Sequence, residues 1–179
     1  VLRLGEFVLR PLRQSDRGAW FGYLSDRRTT EHTSWPEVSP AMVARLIDRL
    51  IGEYADRVSL RWALARTDDD ELVGSCGYTR IDARNAVAEL AYDLAPAYWG
   101  RGLMSAAVEA AVEWAFADGG LRRVEALVMV TNSRSITLLE RRGFVRERLL
   151  PSHRIARGMP RDFWCYAKES GSPRGPRAG

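Results

Sequence analysis

Lysine is almost missing from this chain. Of its 27 basic residues only Lys168 is lysine, and the rest are arginine. That skew reads as base-composition bias rather than selection for a partner, because the arginines are scattered among the acids. No basic block with interleaved aromatics is present, so direct nucleic-acid binding is not expected. Cysteine is nearly as scarce. Cys76 and Cys165 are too few for a disulfide framework, which makes a reducing cytoplasm the simplest setting. Histidine occurs twice, as His32 and His153, in polar loops without ligand spacing, so no metal site is expected. Long apolar runs are also lacking. No stretch approaches a membrane span, and Val1-Leu2-Arg3-Leu4 is no secretory core, so no membrane association is expected.

What is present is an ordinary globular composition, 46% hydrophobic and 28% charged over 179 residues. That length suits one domain able to bury about two thirds of its unfolded surface. The net charge of +4 could assist an anionic ligand without identifying one. Residues 1–169 are expected to form the domain, and "SGSPRGPRAG" from Ser170 onward has the composition of a disordered tail.

Periodicity supplies the elements. "EFVLRPL" (6–12) alternates as a strand, and Ser15-Asp16 offers a cap for a helix in "RGAWFGYL". A polar loop follows, then Ser39-Pro40 signals a helix start. Val43, Leu46, Ile47, Leu50, Ile51 and Tyr54 recur at helical spacing behind it. "LRWALAR" (60–66) and "LVGSCGYTRI" (72–81) read as a hairpin across "TDDDE", and "AVAELAYDLA" (86–95) as the next strand. A helix carries Met104, Val108, Ala111 and Ala115 on one stripe and ends at Gly119-Gly120. A strand at 123–130, a helix capped by Asn132 or Ser133 and stopped at Gly143, and two closing strands, "FVRERLL" and "DFWCYAKE", complete the order. The fold class is therefore α/β or α+β, a mixed sheet flanked by helices.

Between the strand at 86–95 and the alanine-rich helix lies "WGRG". Glycines at a strand-to-helix turn let a ligand approach the backbone, and the first N–H groups of a helix suit phosphate oxygens. In isolation a G-x-G is more often a plain turn. Ser105 stands where a dinucleotide fingerprint needs its third glycine, and no Gly-Lys-Ser/Thr follows for a Walker loop.

Thirty residues on comes "TNSRSITLLERRGF" (131–144), and the two segments together resemble the core of the GNAT superfamily of N-acetyltransferases. The family loop, Gln/Arg-x-x-Gly-x-Gly/Ala, is occupied by Trp99-x-x-Gly102-x-Met104. Trp99 and Met104 depart from the general pattern but are familiar in the RimJ/RimL-type branch, the ribosomal-protein-alanine N-acetyltransferases. That branch also shows N-x-x-S, matched by Asn132 and Ser135, and G-x-x-R-D, matched by Gly158, Arg161 and Asp162. The resemblance covers roughly residues 4–168.

The resemblance implies a mostly antiparallel sheet splayed between its fourth and fifth strands, with acetyl-CoA in the cleft. Backbone around Trp99, Gly100, Arg101, Gly102, Leu103 and Met104 would hold the pyrophosphate, and Ser105 could add a hydroxyl. Main chain near Leu94 would pair with the pantetheine as an added strand, and Asn132 would hydrogen-bond that arm. Arg101 either meets phosphate or points to solvent.

Acetyl transfer needs an unprotonated amine and a proton for the departing thiolate. Glu89, in an otherwise apolar "AELAY", is the candidate base, acting directly or through a water, or else an ordinary strand carboxylate. Alternation puts Glu89, Ala91 and Asp93 on one face and Leu90, Tyr92 and Leu94 on the other. The tyrosine acid that many family members carry on the short helix reads Leu139 here, so Ser135 is the substitute candidate. Its other reading is a first-turn hydroxyl that satisfies backbone. Trp35, Tyr92 and Asp162 are the acceptor-binding candidates, although Trp35 can equally staple the helix behind Pro40. Phe163 follows Asp162 where the branch often has histidine.

The function so implied is acetyl transfer to a primary amine in a ternary complex, with a protein or peptide α-amino group, such as that of a ribosomal protein, as first expectation. A small-molecule acceptor, an antibiotic or an amino-acid derivative, or a non-catalytic acyl-CoA-binding role, is the alternative. The chain is expected as a monomer or homodimer.

Overall fold

The computed structural model describes residues 1–171; the rest of the expected tail lies outside the described residues. Fifteen elements follow in order among those described. They begin with β1 (Leu2–Leu4), β2 (Phe7–Pro11), a 3-10 turn (Gln14–Asp16), α1 (Arg17–Leu24), α2 (Arg27–Thr30) and α3 (Pro40–Ala55). Next come β3 (Leu60–Arg66), β4 (Leu72–Asp82), β5 (Val87–Leu94), a 3-10 turn (Pro96–Tyr98) and α4 (Leu103–Ala117). They close with β6 (Arg123–Met129), α5 (Ser133–Arg141), β7 (Val145–Ala156) and β8 (Met159–Glu169).

Four strands and helices differ from the sequence expectation. β1 is additional; Gly5, at φ 64, turns the chain so that Leu2–Leu4 pairs with β2. α2 forms inside the expected polar loop because the Asp26 side chain accepts from Arg28 N and starts a helical turn. The closing strands run longer than expected because Arg157 and Gly158, at φ 52 and 71, make a tight turn between them. G-x-x-R-D thus sits on a hairpin tip and the start of β8.

The strands form one sheet in the order β1-β2-β3-β4-β5-β6-β8-β7. All pairings are antiparallel except β5 with β6. That parallel pair holds only from Val87↔Arg123 to Leu90↔Ala126, and beyond it the strands separate. With β1 counted, the splay expected between the fourth and fifth strands lies between β5 and β6.

Strand alternation builds a core on each face. Leu60, Trp62 and Leu64 of β3 and Leu90 and Leu94 of β5 pack with α4 and Leu139 of α5. Ala63 of β3 faces the other way, against Trp20 and Tyr23 of α1 and Val43, Ile47 and Leu50 of α3. α3 begins where expected, with the Ser39 side chain accepting from Met42 N and Pro40 in the first turn. Gly77 brings β3 and β4 close: at φ 150, a Cβ there would lie 2.1 Å from the Leu60 carbonyl oxygen.

Candidate functional site

A cavity of about 320 Å³ passes through the splay. Ala91 and Tyr92 of β5 and Leu127, Val128 and Met129 of β6 form its waist. Trp20, Trp35, Leu46 and Leu50 wall the α1–α3 side, and Asn132, Ser135 and Leu139 the α5 side. Because the gap joins both faces of the sheet, side chains of opposite parity on β5 reach one space.

Glu89 belongs to the α1–α3 side. Its Oε1 accepts from Arg154 Nη2 at 2.8 Å, leaving Oε2 without a partner among the described residues. A bulge in β4 between Tyr78 and Arg80 stands opposite it, and Thr79 Oγ1 donates to the Glu89 carbonyl at 3.3 Å. Tyr92 belongs to the α5 side, where its hydroxyl lies 2.6 Å from Ser135 Oγ. Burial pushes the Tyr92 phenol well above its ordinary pKa, against a smaller lowering by Ser135. Leu139, at the position of the family's tyrosine, is buried in the core.

The loop before α4 has a distinct backbone. Gly100 and Gly102 are left-handed, at φ 76 and 71, and a Cβ on either would meet only open space. No side chain caps α4. The N–H groups of residues 100–105 find no protein acceptor among the described residues. Beyond Leu90, the β5 edge toward β6 is open. Loop and edge together fit a long ligand with phosphates at one end and an amide-bearing arm at the other.

The remaining expected site residues divide by position. Leu103 and Met104 are buried, so only their backbone faces the loop; Ser105 is half-buried. Trp99 donates from Nε1 to the Leu94 carbonyl at 2.8 Å and lies under Arg134, so it ties the loop to the end of β5. The Leu94 carbonyl is thereby engaged. Arg101 is exposed and stacks over Tyr98. Asn132 caps α5, its Oδ1 accepting from Ser135 N at 3.2 Å, and donates from Nδ2 to the His32 carbonyl. Trp35 packs edge-on against Trp20 at 6.3 Å. Asp162 is exposed and accepts from Ser152 N at 2.8 Å; it does not line the cavity.

Most of the cavity residues were not singled out as site candidates, four titratable ones among them. His32 meets Thr131 Oγ1 at 3.1 Å, and Arg49, Arg61 and Arg154 bring guanidinium groups to the walls. Only Arg61 left a signal, as a charged residue inside an apolar strand. Among the described residues, no helix is long and apolar enough to cross a membrane.

Fold and site together define an acyltransferase of the splayed-sheet kind. Residues 6–145 match the family described as Acetyltransferase (GNAT) domain, and the chain belongs to that family, whose acyl donor is acetyl-CoA. It is an N-acetyltransferase. The N-acetyltransferase p20 of Bacillus licheniformis is 30% identical over 89% of this chain and 90% of its own length. Among solved structures, the ribosomal-protein-S5-alanine acetyltransferase of Vibrio fischeri superposes with a TM-score of 0.82 at 20% identity, covering 94% of this chain and 95% of that one. The spermidine N-acetyltransferase of Vibrio cholerae, solved with CoA and spermine, gives 0.81 at 20% identity, over 93% and 97%.

Proposed function

We propose that the chain acetylates the α-amino group of a protein or peptide, with Glu89 as base and Ser135, backed by Tyr92, as hydrogen-bond donor to the departing thiolate. The observation that carries this is the cavity through the splay, with Glu89 on one side of it and the Ser135–Tyr92 pair on the other. Acetyl-CoA supplies an activated acetyl group: the amine nitrogen bonds to the acetyl carbon and the carbon–sulfur bond breaks. Glu89 Oε2 takes the proton that the amine sheds, directly or through a water, while Arg154 holds the other oxygen. The Tyr92 phenol keeps its proton and donates to Ser135 Oγ, which turns the serine hydroxyl hydrogen toward the departing sulfur. The hydroxyl keeps that hydrogen, and CoA leaves as a thiolate held by the hydrogen bond and takes its proton from solvent. The N–H groups of residues 100–105 hold the pyrophosphate, without any side chain having to bear the charge.

A polyamine, the substrate class of the Vibrio cholerae neighbour, needs carboxylates around its ammonium groups. Among the described residues only one carboxylate lines this cavity, and Arg154 already holds one of its oxygens. That favours the peptide amine, the kind of acceptor named for the Vibrio fischeri neighbour. The buried free thiols of Cys76 and Cys165 suit the reducing cytoplasm proposed as its setting. The test is CoA release from acetyl-CoA with N-terminal peptides and polyamines offered in parallel. Peptide-dependent turnover above the polyamine rate is expected; turnover of polyamines alone would overturn the peptide reading.

A further inference from the structure

Charge on the cavity wall is one-sided. Among the described residues Arg49, Arg61 and Arg154 line it against Glu89 alone. The carboxylates that balance two of these arginines stand outside the lining. Glu53 accepts from Arg49 Nη1 one turn along α3, and Asp93 accepts from Arg61 Nη2 behind the wall. Asp93 is locked there by Tyr23 Oη and Ser75 Oγ, both of which donate to it. Arg61 itself is 6% exposed and donates from Nε to Ser75 Oγ at 2.9 Å, which leaves Nη1 without a partner among the described residues. Trp20 lies beside it, 5.8 Å from guanidinium carbon to ring centroid, and its buried Nε1 also finds no acceptor. A guanidinium nitrogen left uncommitted on a residue that lines the cavity, beside a buried indole N–H with no partner, calls for an acceptor from a ligand.

We propose that the amine acceptor carries an anionic group of its own, a carboxylate or a phosphate, which docks on Arg61 with Arg49 at the rim while the amine reaches Glu89. This rests on the acetyl-transfer reading above. A guanidinium fork serves both anions, so oxyanion recognition is the shared chemistry. The apolar part of the acceptor lies against Trp20, Trp35, Leu46 and Leu50. The same cationic field disfavours the ammonium form of the acceptor amine, leaving more of it as the free amine that attacks.

The test compares CoA release for matched amines: a dipeptide acid against the same dipeptide amide, phosphoethanolamine against ethanolamine, and spermidine as polycation. The expected result is a kcat/KM about tenfold or more higher for the anionic member of at least one pair, with spermidine poorest. The pair that discriminates names the anion. Arg61→Lys keeps a charge beside Asp93 but gives up the fork, and should collapse that ratio toward one with acetyl-CoA affinity retained. Arg49→Gln, at the exposed rim, should lower the ratio more modestly, so the proposal does not hang on a buried substitution. A neutral amine or spermidine leading the panel overturns the anion inference while acetyl transfer stands. No amine-dependent CoA release at all overturns both.

Discussion

Glu89 and Tyr92 are three residues apart on one strand and stand on opposite faces of the sheet. Glu89→Gln is expected to lower kcat by about a hundredfold at acid pH, where most of the amine is protonated, and less as pH rises. Acetyl-CoA affinity measured by calorimetry should hardly change; wild-type turnover would remove Glu89 from the mechanism. Ser135→Ala and Tyr92→Phe should each lower kcat by about tenfold, the worth of one hydrogen bond that forms with the reaction. The double variant should lose little more than Ser135→Ala alone, because in the proposed mechanism the phenol acts through the serine. Additive losses would break that link. Gly102→Val forces a β-branched residue to φ 71, at a cost of about 1–2 kcal/mol, and fills the open space before the loop N–H groups. Its dissociation constant for acetyl-CoA should rise, and an unchanged constant would sink the loop assignment.

At the level of elements, α5 depends on Asn132 for its first turn. Asn132→Asp keeps the capping oxygen and loses the donor to His32, whereas Asn132→Ala loses both. The alanine variant should therefore cost about 1 kcal/mol in chemical denaturation, and the aspartate variant much less. Equal losses would show that the His32 contact, and not the cap, is what matters. The pairing of β3 with β4 depends on Gly77 in a different way. Alanine there drives a methyl group into the Leu60 carbonyl, which backbone cannot yield cheaply. We expect Gly77→Ala to cost about 3 kcal/mol or more.

The molecule as a whole buries several groups that titrate only in base. Burial raises the pKa of Tyr23, Tyr78 and Tyr92, with Asp93 adding to the effect at Tyr23, and pushes the Cys76 thiol up to about 12. Folded, these groups keep their protons; unfolded, cysteine loses its proton near pH 8.5 and tyrosine near about pH 10. Their contribution to stability is complete below those values and declines as pH rises through them. Each contributes a slope of about 1.4 kcal/mol per pH unit once its unfolded form is ionised. Denaturation midpoints should hold near neutrality and fall steeply above pH 9 to 10. A flat profile to pH 11 would contradict the burial of these hydroxyls.

Local patterning determined most of the elements by itself. The Ser39-Pro40 start of α3, the apolar stripe of α4 and the left-handed stop at Gly143 follow from short-range geometry, which sequence encodes directly. The motif spacing from Trp99 to Ser135 pointed to the family for the same reason. Elements that rest on a single turn, such as β1 and α2, escaped that reading because one glycine or one aspartate carries little periodic signal. The cavity wall was decided only in three dimensions. Arg154 reaches Glu89 across 65 residues of chain, and the Arg61–Asp93 pair becomes one-sided only because Tyr23 and Ser75 hold the carboxylate back. Tyr92 meets Ser135 because β5 and β6 part at Leu90, and a strand pairing that stops leaves no mark in either strand's own alternation. The sequence therefore determined which scaffold this chain builds, while tertiary packing decided which charges face the cavity.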